Sequence, residues 1–152
     1  DYGVAQTRRR CIAGEGWEAI PTHDKETWLS VIDALPHLRE ELPPLKRLVI
    51  PIQRKVGVLK VNGRILQPIW REIDQPIQTI TTRSENIGIQ EKDSELKPKK
   101  IRSLTIEETL TLQGFDPKYD MTQARTQKNR WTMIGNAVVP AVAKAIIGGI
   151  KQ

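Results

Sequence analysis

Gln6-x-Arg8-x-Arg10 sets an amide and two guanidiniums at alternate positions near the start of a 152-residue chain. A period of two brings all three side chains to one face of an extended segment. Aligned guanidiniums grip a phosphate or a carbonyl oxygen through paired hydrogen bonds, which a lysine does less well. Taken alone, the run also fits a solvated basic edge. The single cysteine, Cys11, lies between Arg10 and Ile12 in a short apolar strand, 10 to 13, that Gly14 ends. It reads as a core residue and not as a nucleophile. One cysteine excludes an internal disulfide and favours a reducing compartment. His23 and His37 are the only histidines, and with one distant cysteine they make no metal-site spacing, so no metal is expected.

Two stretches further along can hold such residues in place. In Arg102-Ser-Leu-Thr-Ile-Glu-Glu-Thr-Leu-Thr-Leu-Gln-Gly-Phe115, Thr105 followed three residues later by Glu108 forms a capping box that starts a helix. Leu104, Ile106, Leu110 and Leu112 give it an apolar content, and Gly114 permits a left-handed end. In Arg130-Trp-Thr-Met-Ile-Gly-Asn-Ala-Val-Val-Pro140, Ile134-Gly135-Asn136 predicts a tight backbone turn, and Pro140 opens a helix running to about Ile150. That last helix carries Val138, Val139, Val142, Ala145, Ile146 and Ile150, an apolar surface that needs something to pack on.

The remaining segments are read from their periodicity. Trp28-Leu29-x-Val31-Ile32-x-x-Leu35 spaces its apolar residues as one helical stripe, and Pro36 ends it. Val56 to Val61, Asn62-Gly63 and Arg64 to Leu66 predict a hairpin with a two-residue turn. Ile77 to Thr82 alternates as a strand should. The polar, charged stretch from Glu85 to Lys100 predicts a mobile loop. In the connector, 116 to 133, Arg125, Lys128 and Arg130 form a basic face that suits either a DNA backbone or solvent.

Composition bounds the class. There are 24 Lys and Arg against 18 Asp and Glu, a formal net charge of +6 that suits a polyanion such as DNA without requiring one. The chain is long enough for one domain with a core or for a piece of a larger fold. No apolar run approaches membrane-spanning length and no signal-peptide pattern opens the chain, so an intracellular, cytoplasmic location is expected.

The motifs themselves resemble a known family. Arg102-x-Leu104-Thr105-x-x-Glu108-x-x-x-Leu112-Gln113-Gly114-Phe115 is similar to the ninth sequence motif of DNA (cytosine-5) methyltransferases, and Ile134-Gly135-Asn136-Ala137-Val138 to their tenth. Beside these two, Gln6-x-Arg8-x-Arg10 resembles the eighth. The chain departs from the pattern at Ala5, where a proline is usual, at Thr111, where an arginine is usual, and at Asp116, which precedes the proline expected directly after Gly-Phe.

The resemblance implies an α/β fold, mixed α+β in this piece: the C-terminal part of a Rossmann-like S-adenosylmethionine-dependent methyltransferase with a small β-rich target-recognition lobe. It implies four regions: 1–20, the end of the catalytic domain; 21–100, the target-recognition region; 101–133, the ninth-motif helix and connector; and 134–152, the tenth-motif turn and helix returning to the catalytic domain. Gln6, Arg8 and Arg10 would face the target cytosine and its backbone. Asn136, Ala137 and Val138 would contact S-adenosylmethionine. In the recognition region Arg83, Thr82, Asn86, Gln90 and Arg71 are able to read base edges in double-stranded DNA.

Family chemistry adds a cysteine thiolate to carbon-6 of a flipped cytosine, making an enamine that takes the methyl group. The Pro-Cys loop that supplies this cysteine, the Gly-rich cofactor turn and the acidic group for the ring nitrogen lie upstream in the family, and the chain opens at Asp1 inside a motif. It therefore reads as the C-terminal portion of an intracellular prokaryotic or phage enzyme, inactive without its N-terminal catalytic part. Two alternatives are a separate subunit of a split methyltransferase and a non-catalytic DNA-binding remnant.

Overall fold

The computed structural model describes residues 3–7, 24, 26–41, 59–61, 64–66, 72–82, 88–91 and 99–149. Along the chain the elements run β1 (Gln6–Thr7), α1 (Val31–Ala34), α2 (Leu38–Glu41), β2 (Leu59–Val61), β3 (Arg64–Leu66), β4 (Ile77–Gln78), β5 (Gly88–Glu91), β6 (Lys99–Ser103), α3 (Ile106–Gln113), α4 (Gln127–Asn136) and α5 (Pro140–Gly148). Helix and strand are mixed among the described residues, consistent with the expected α/β class. The strands form pairs: β1 with β4 in parallel, β2 with β3 and β5 with β6 antiparallel.

Helix α3 begins where the capping box predicts. The Thr105 hydroxyl accepts from the Glu108 amide at 3.1 Å and the Glu108 carboxylate accepts from the Thr105 amide at 2.7 Å. Gly114 ends it at φ 86°, a left-handed conformation that glycine adopts without penalty. Its buried face, Ile106, Leu110 and Leu112, joins Val31, Leu35 and Leu38 from the first helices, Ile77 and Ile80 from β4 and the residues after it, Ile89 from β5, and Trp131 and Ile134 from α4 in one core.

Several boundaries differ from the sequence reading, each for a local reason. The first helix starts at Val31 instead of Trp28, because Ser30 caps it by a second capping box with Asp33 and the amides of Val31 and Ile32 turn outward to the carbonyls of Gln75 and Ile73. The predicted strand from 77 to 82 pairs only over Ile77–Gln78; the Ile80 amide leaves the ladder for the Gln6 side chain. The 85–100 loop instead contains β5 and the start of β6, whose pairing is interrupted by a bulge between Ile89 and Gln90. The buried Ile89 anchors this hairpin in the core, overriding the polar composition around it. Of the predicted hairpin, Leu59–Val61 and Arg64–Leu66 pair antiparallel with Val61 opposite Arg64, while 56–58 and Asn62-Gly63 lie outside the described residues.

The tight turn expected at Ile134-Gly135-Asn136 is a helix end. Thr126 caps α4 through its hydroxyl, which accepts from the Asn129 amide at 3.1 Å, and the helix carries on through Asn136. The chain breaks one residue later, over Ala137 to Val139, in the extended conformation that the residue before a proline favours. Pro140 then opens α5 as predicted. By length and composition Gln127–Gly148 would pass as a membrane span, contrary to the sequence reading that no run comes close. The break leaves two short helices, and Trp131 and Ile134 of the first are committed to the core.

Candidate functional site

The segments carrying the candidate residues meet around a buried pair of glutamines. Gln6 is 3% exposed and Gln113 fully buried. Gln6 Nε2 donates to Gln113 Oε1 at 2.5 Å, and Gln6 Oε1 accepts from the Ile80 amide at 3.3 Å. Gln113 Nε2 donates to the Ala137 carbonyl at 3.3 Å. One polar chain thus joins β1, the segment after β4, the end of α3 and the break between α4 and α5. The Ile77 amide donates to the Ala5 carbonyl at 2.8 Å, and the Thr79 hydroxyl to the Thr7 carbonyl at 2.7 Å. These fix β1 alongside β4 just before Arg8.

A second junction sits next to the first. A Cβ built on Gly135 would lie 2.3 Å from the Thr82 nitrogen and 2.4 Å from the Thr81 carbonyl carbon. The end of α4 therefore rests directly on the backbone of Thr81 and Thr82, a contact that only a residue without a side chain permits. Thr82 is half-buried there, and Asn136 and Val138 emerge at the surface beside it, with Val138 56% exposed.

The third junction holds α3 to the strand and helix before it. Glu108 is buried and receives a bidentate grip from Arg102, at 2.8 and 2.7 Å, together with His37 Nε2 at 2.8 Å and the Thr105 amide. Burial pushes its carboxyl up, but the donors from Arg102, Thr105 and His37 outweigh this and hold it below the usual range. Arg102 also reaches Glu41 at 2.6 Å, and its guanidinium is pushed up by Glu108 first, against burial, with Glu41 adding to the rise.

The structure thus brings Gln6, Thr82 and Asn136 to Val138 into one neighbourhood, with Gln6 facing inward and both ends of its amide engaged. Arg8, Arg10, Arg71, Arg83, Asn86, Cys11 and His23 lie outside the described residues; Gln90 is in β5. Arg125, Lys128 and Arg130 are all exposed. Among the described residues no three His, Cys, Asp or Glu side chains converge as a metal site would require. Sequence reasoning gave Gln113 no role, although it stands seven residues after Ile106 and three after Leu110, on the helix face that must be buried. It also left Gly135 as a turn residue. The capping box pointed to Thr105 as a partner of Glu108, but no local signal pointed to Arg102 or His37.

Helix α5 has no buried residue, and Ile147 at its far end is 69% exposed. With Val138, Val142 and Ile146 it presents an apolar surface.

The model of the C-5 cytosine-specific DNA methylases matches residues 20–152. The chain is similar to the Type II methyltransferase M.AplI of Arthrospira platensis, 26% identical over 157 residues that take in all of this chain and 45% of the relative. It therefore spans less than half the length of the curated relative it matches. No solved structure matches it.

Proposed function

The chain belongs to the C-5 cytosine-specific DNA methylase family, and from that premise we propose that it is the C-terminal portion of an enzyme that methylates cytosine in double-stranded DNA with S-adenosylmethionine. Its part is to read the DNA, hold the target base and form one wall of the cofactor pocket in a Rossmann-like catalytic domain. Residues 21–100 make the recognition lobe. The thiolate that attacks carbon-6 of the cytosine comes from the N-terminal part of the enzyme.

The single observation that carries this reading is the junction at Gly135 and Thr82. It sets the end of α4 against the backbone of Thr81 and Thr82, shortly after β4, the strand that pairs with β1. In the proposed enzyme Arg8 and Arg10 hold the base and its backbone by paired hydrogen bonds, with Gln6 anchoring their segment from beneath. Thr82, Arg83 and Asn86 face the major groove. The exposed basic residues Arg125, Lys128 and Arg130 follow the phosphates.

The residues at the helix break fit one face of an adenosyl group. Asn136 offers an amide for hydrogen bonding and Val138 an apolar side chain that the fold leaves uncovered. Bound there, S-adenosylmethionine supplies the methyl group. The chain's own residues orient it, and the apolar face of α5, packed against the N-terminal lobe, keeps water from that wall.

Mixing the purified chain with a matching N-terminal half, tritiated S-adenosylmethionine and duplex DNA tests the proposal. Tritium should enter cytosine only when both halves are present. DNA binding without transfer, although both halves are folded, would leave a non-catalytic DNA-binding module instead.

A further inference from the structure

We infer that Gln113 is a positioning residue, tying the wall that Asn136 and Val138 form to the segment that carries Arg8 and Arg10, so that cofactor and target base are held in one register. The inference rests on the function proposed above and assigns within it a role to a buried residue that touches neither ligand.

The geometry is directional. From the Ile80 amide to Gln6, from Gln6 to Gln113, and from Gln113 to the Ala137 carbonyl, each glutamine accepts on its oxygen and donates from its nitrogen. A side-chain amide carries its donor and its acceptor on separate atoms, so it can accept from one partner and donate to another at this reach. Glutamate at either position keeps the acceptor and loses the donor; methionine fills the space and loses both. With both side chains shut off from solvent, water does not replace a missing partner.

The ends of the chain give it consequence. Gln6 is two residues before Arg8, and the Ala137 carbonyl lies between Asn136 and Val138. The two are 131 positions apart in sequence, and Gln113 bonds to both. A shift in one glutamine is therefore felt at both sites, which a residue serving local packing alone would not produce.

Two measurements test this. In the complete enzyme, Gln113→Met should raise KM for S-adenosylmethionine and for DNA together, each by about tenfold, the loss expected from orphaning a buried hydrogen-bond partner. The Gln6→Met, Gln113→Met double variant removes the orphaned Gln6 amide but orphans the Ile80 amide in turn, so it should recover no thermal stability and should keep both raised KM values. Unchanged KM values in the single variant, or KM values restored along with stability in the double, would overturn the inference.

The second measurement needs no catalysis. By hydrogen exchange on the full chain, Gln113→Met should speed exchange at the Ile80 amide as well as at the amides of 137 to 139. Change confined to residues flanking 113 would also overturn it. Should the wild-type enzyme transfer no methyl at all while Ile80 responds in this way, the proposed function fails and the tie stands.

Discussion

Gly135 lies against the backbone of Thr82 more closely than any side chain would allow, with a built Cβ only 2.3 Å from the Thr82 nitrogen. Backbone on both sides leaves nothing flexible to give way. Gly135→Ala should therefore push the end of α4 off Thr81 and Thr82, at a cost of about 3 kcal/mol, the upper part of the range for overpacking. Urea denaturation of the chain measures it. A wild-type midpoint would mean that the two segments do not touch in solution.

The grip of Arg102 on Glu108 depends on the planar fork of the guanidinium. Arg102→Lys keeps the charge but not the paired bonds, and should cost about 1 to 2 kcal/mol of stability. Glu41, at the exposed end of the same arginine, is a surface partner, and Glu41→Ala should change stability by less than about 0.5 kcal/mol. Equal effects from the two variants would mean that the buried arm has no special weight.

Glu108 also sets a pH dependence. Its carboxyl titrates below the ordinary value of 4.5, so the stability it contributes is fully present above that value and is lost as pH falls through the lower value held in the fold. Wild type and Glu108→Gln should differ in denaturation midpoint at neutral pH and converge as pH drops below 4.5. A gap that does not narrow anywhere on the acid side would contradict the assignment.

Arg8→Ala or Arg10→Ala in the complete enzyme should lower kcat by about tenfold or more while weakening DNA binding less, since a group that holds the flipped base acts mainly in the transition state. Parallel kinetic and binding measurements decide the matter. Equal losses in both would make these arginines general phosphate contacts.

Much of this arrangement is legible in the sequence, and where it is not the reason is physical. The Thr105 and Glu108 box, the Gly114 terminus, the pairing of β2 with β3 and Pro140 at a helix start are all set by contacts within a few residues, which is why local rules find them. The misread segments answer to distant partners. Residues 88 to 91 are a strand because Ile89 reaches the core and pairs with Arg102. Gly135 sits inside a helix because Thr82, fifty-three positions earlier, needs the space. At the site, the side-chain types of Gln6, Thr82 and Asn136 stand out in the sequence, but the buried glutamine between the segments does not, since its partners lie 107 and 24 residues away.

The parallel pairing of β1 with β4 has a consequence for how the chain assembles. As translation proceeds, Gln6 and Thr7 emerge long before Ile77 and Gln78, and their last anchor, Gln113, later still. β1 must stay unpaired until Ile77 and Gln78 have been made, so its seating waits on the closing of a long loop. Gln6 finds both of its side-chain partners, the Ile80 amide and Gln113, only once α3 has been made.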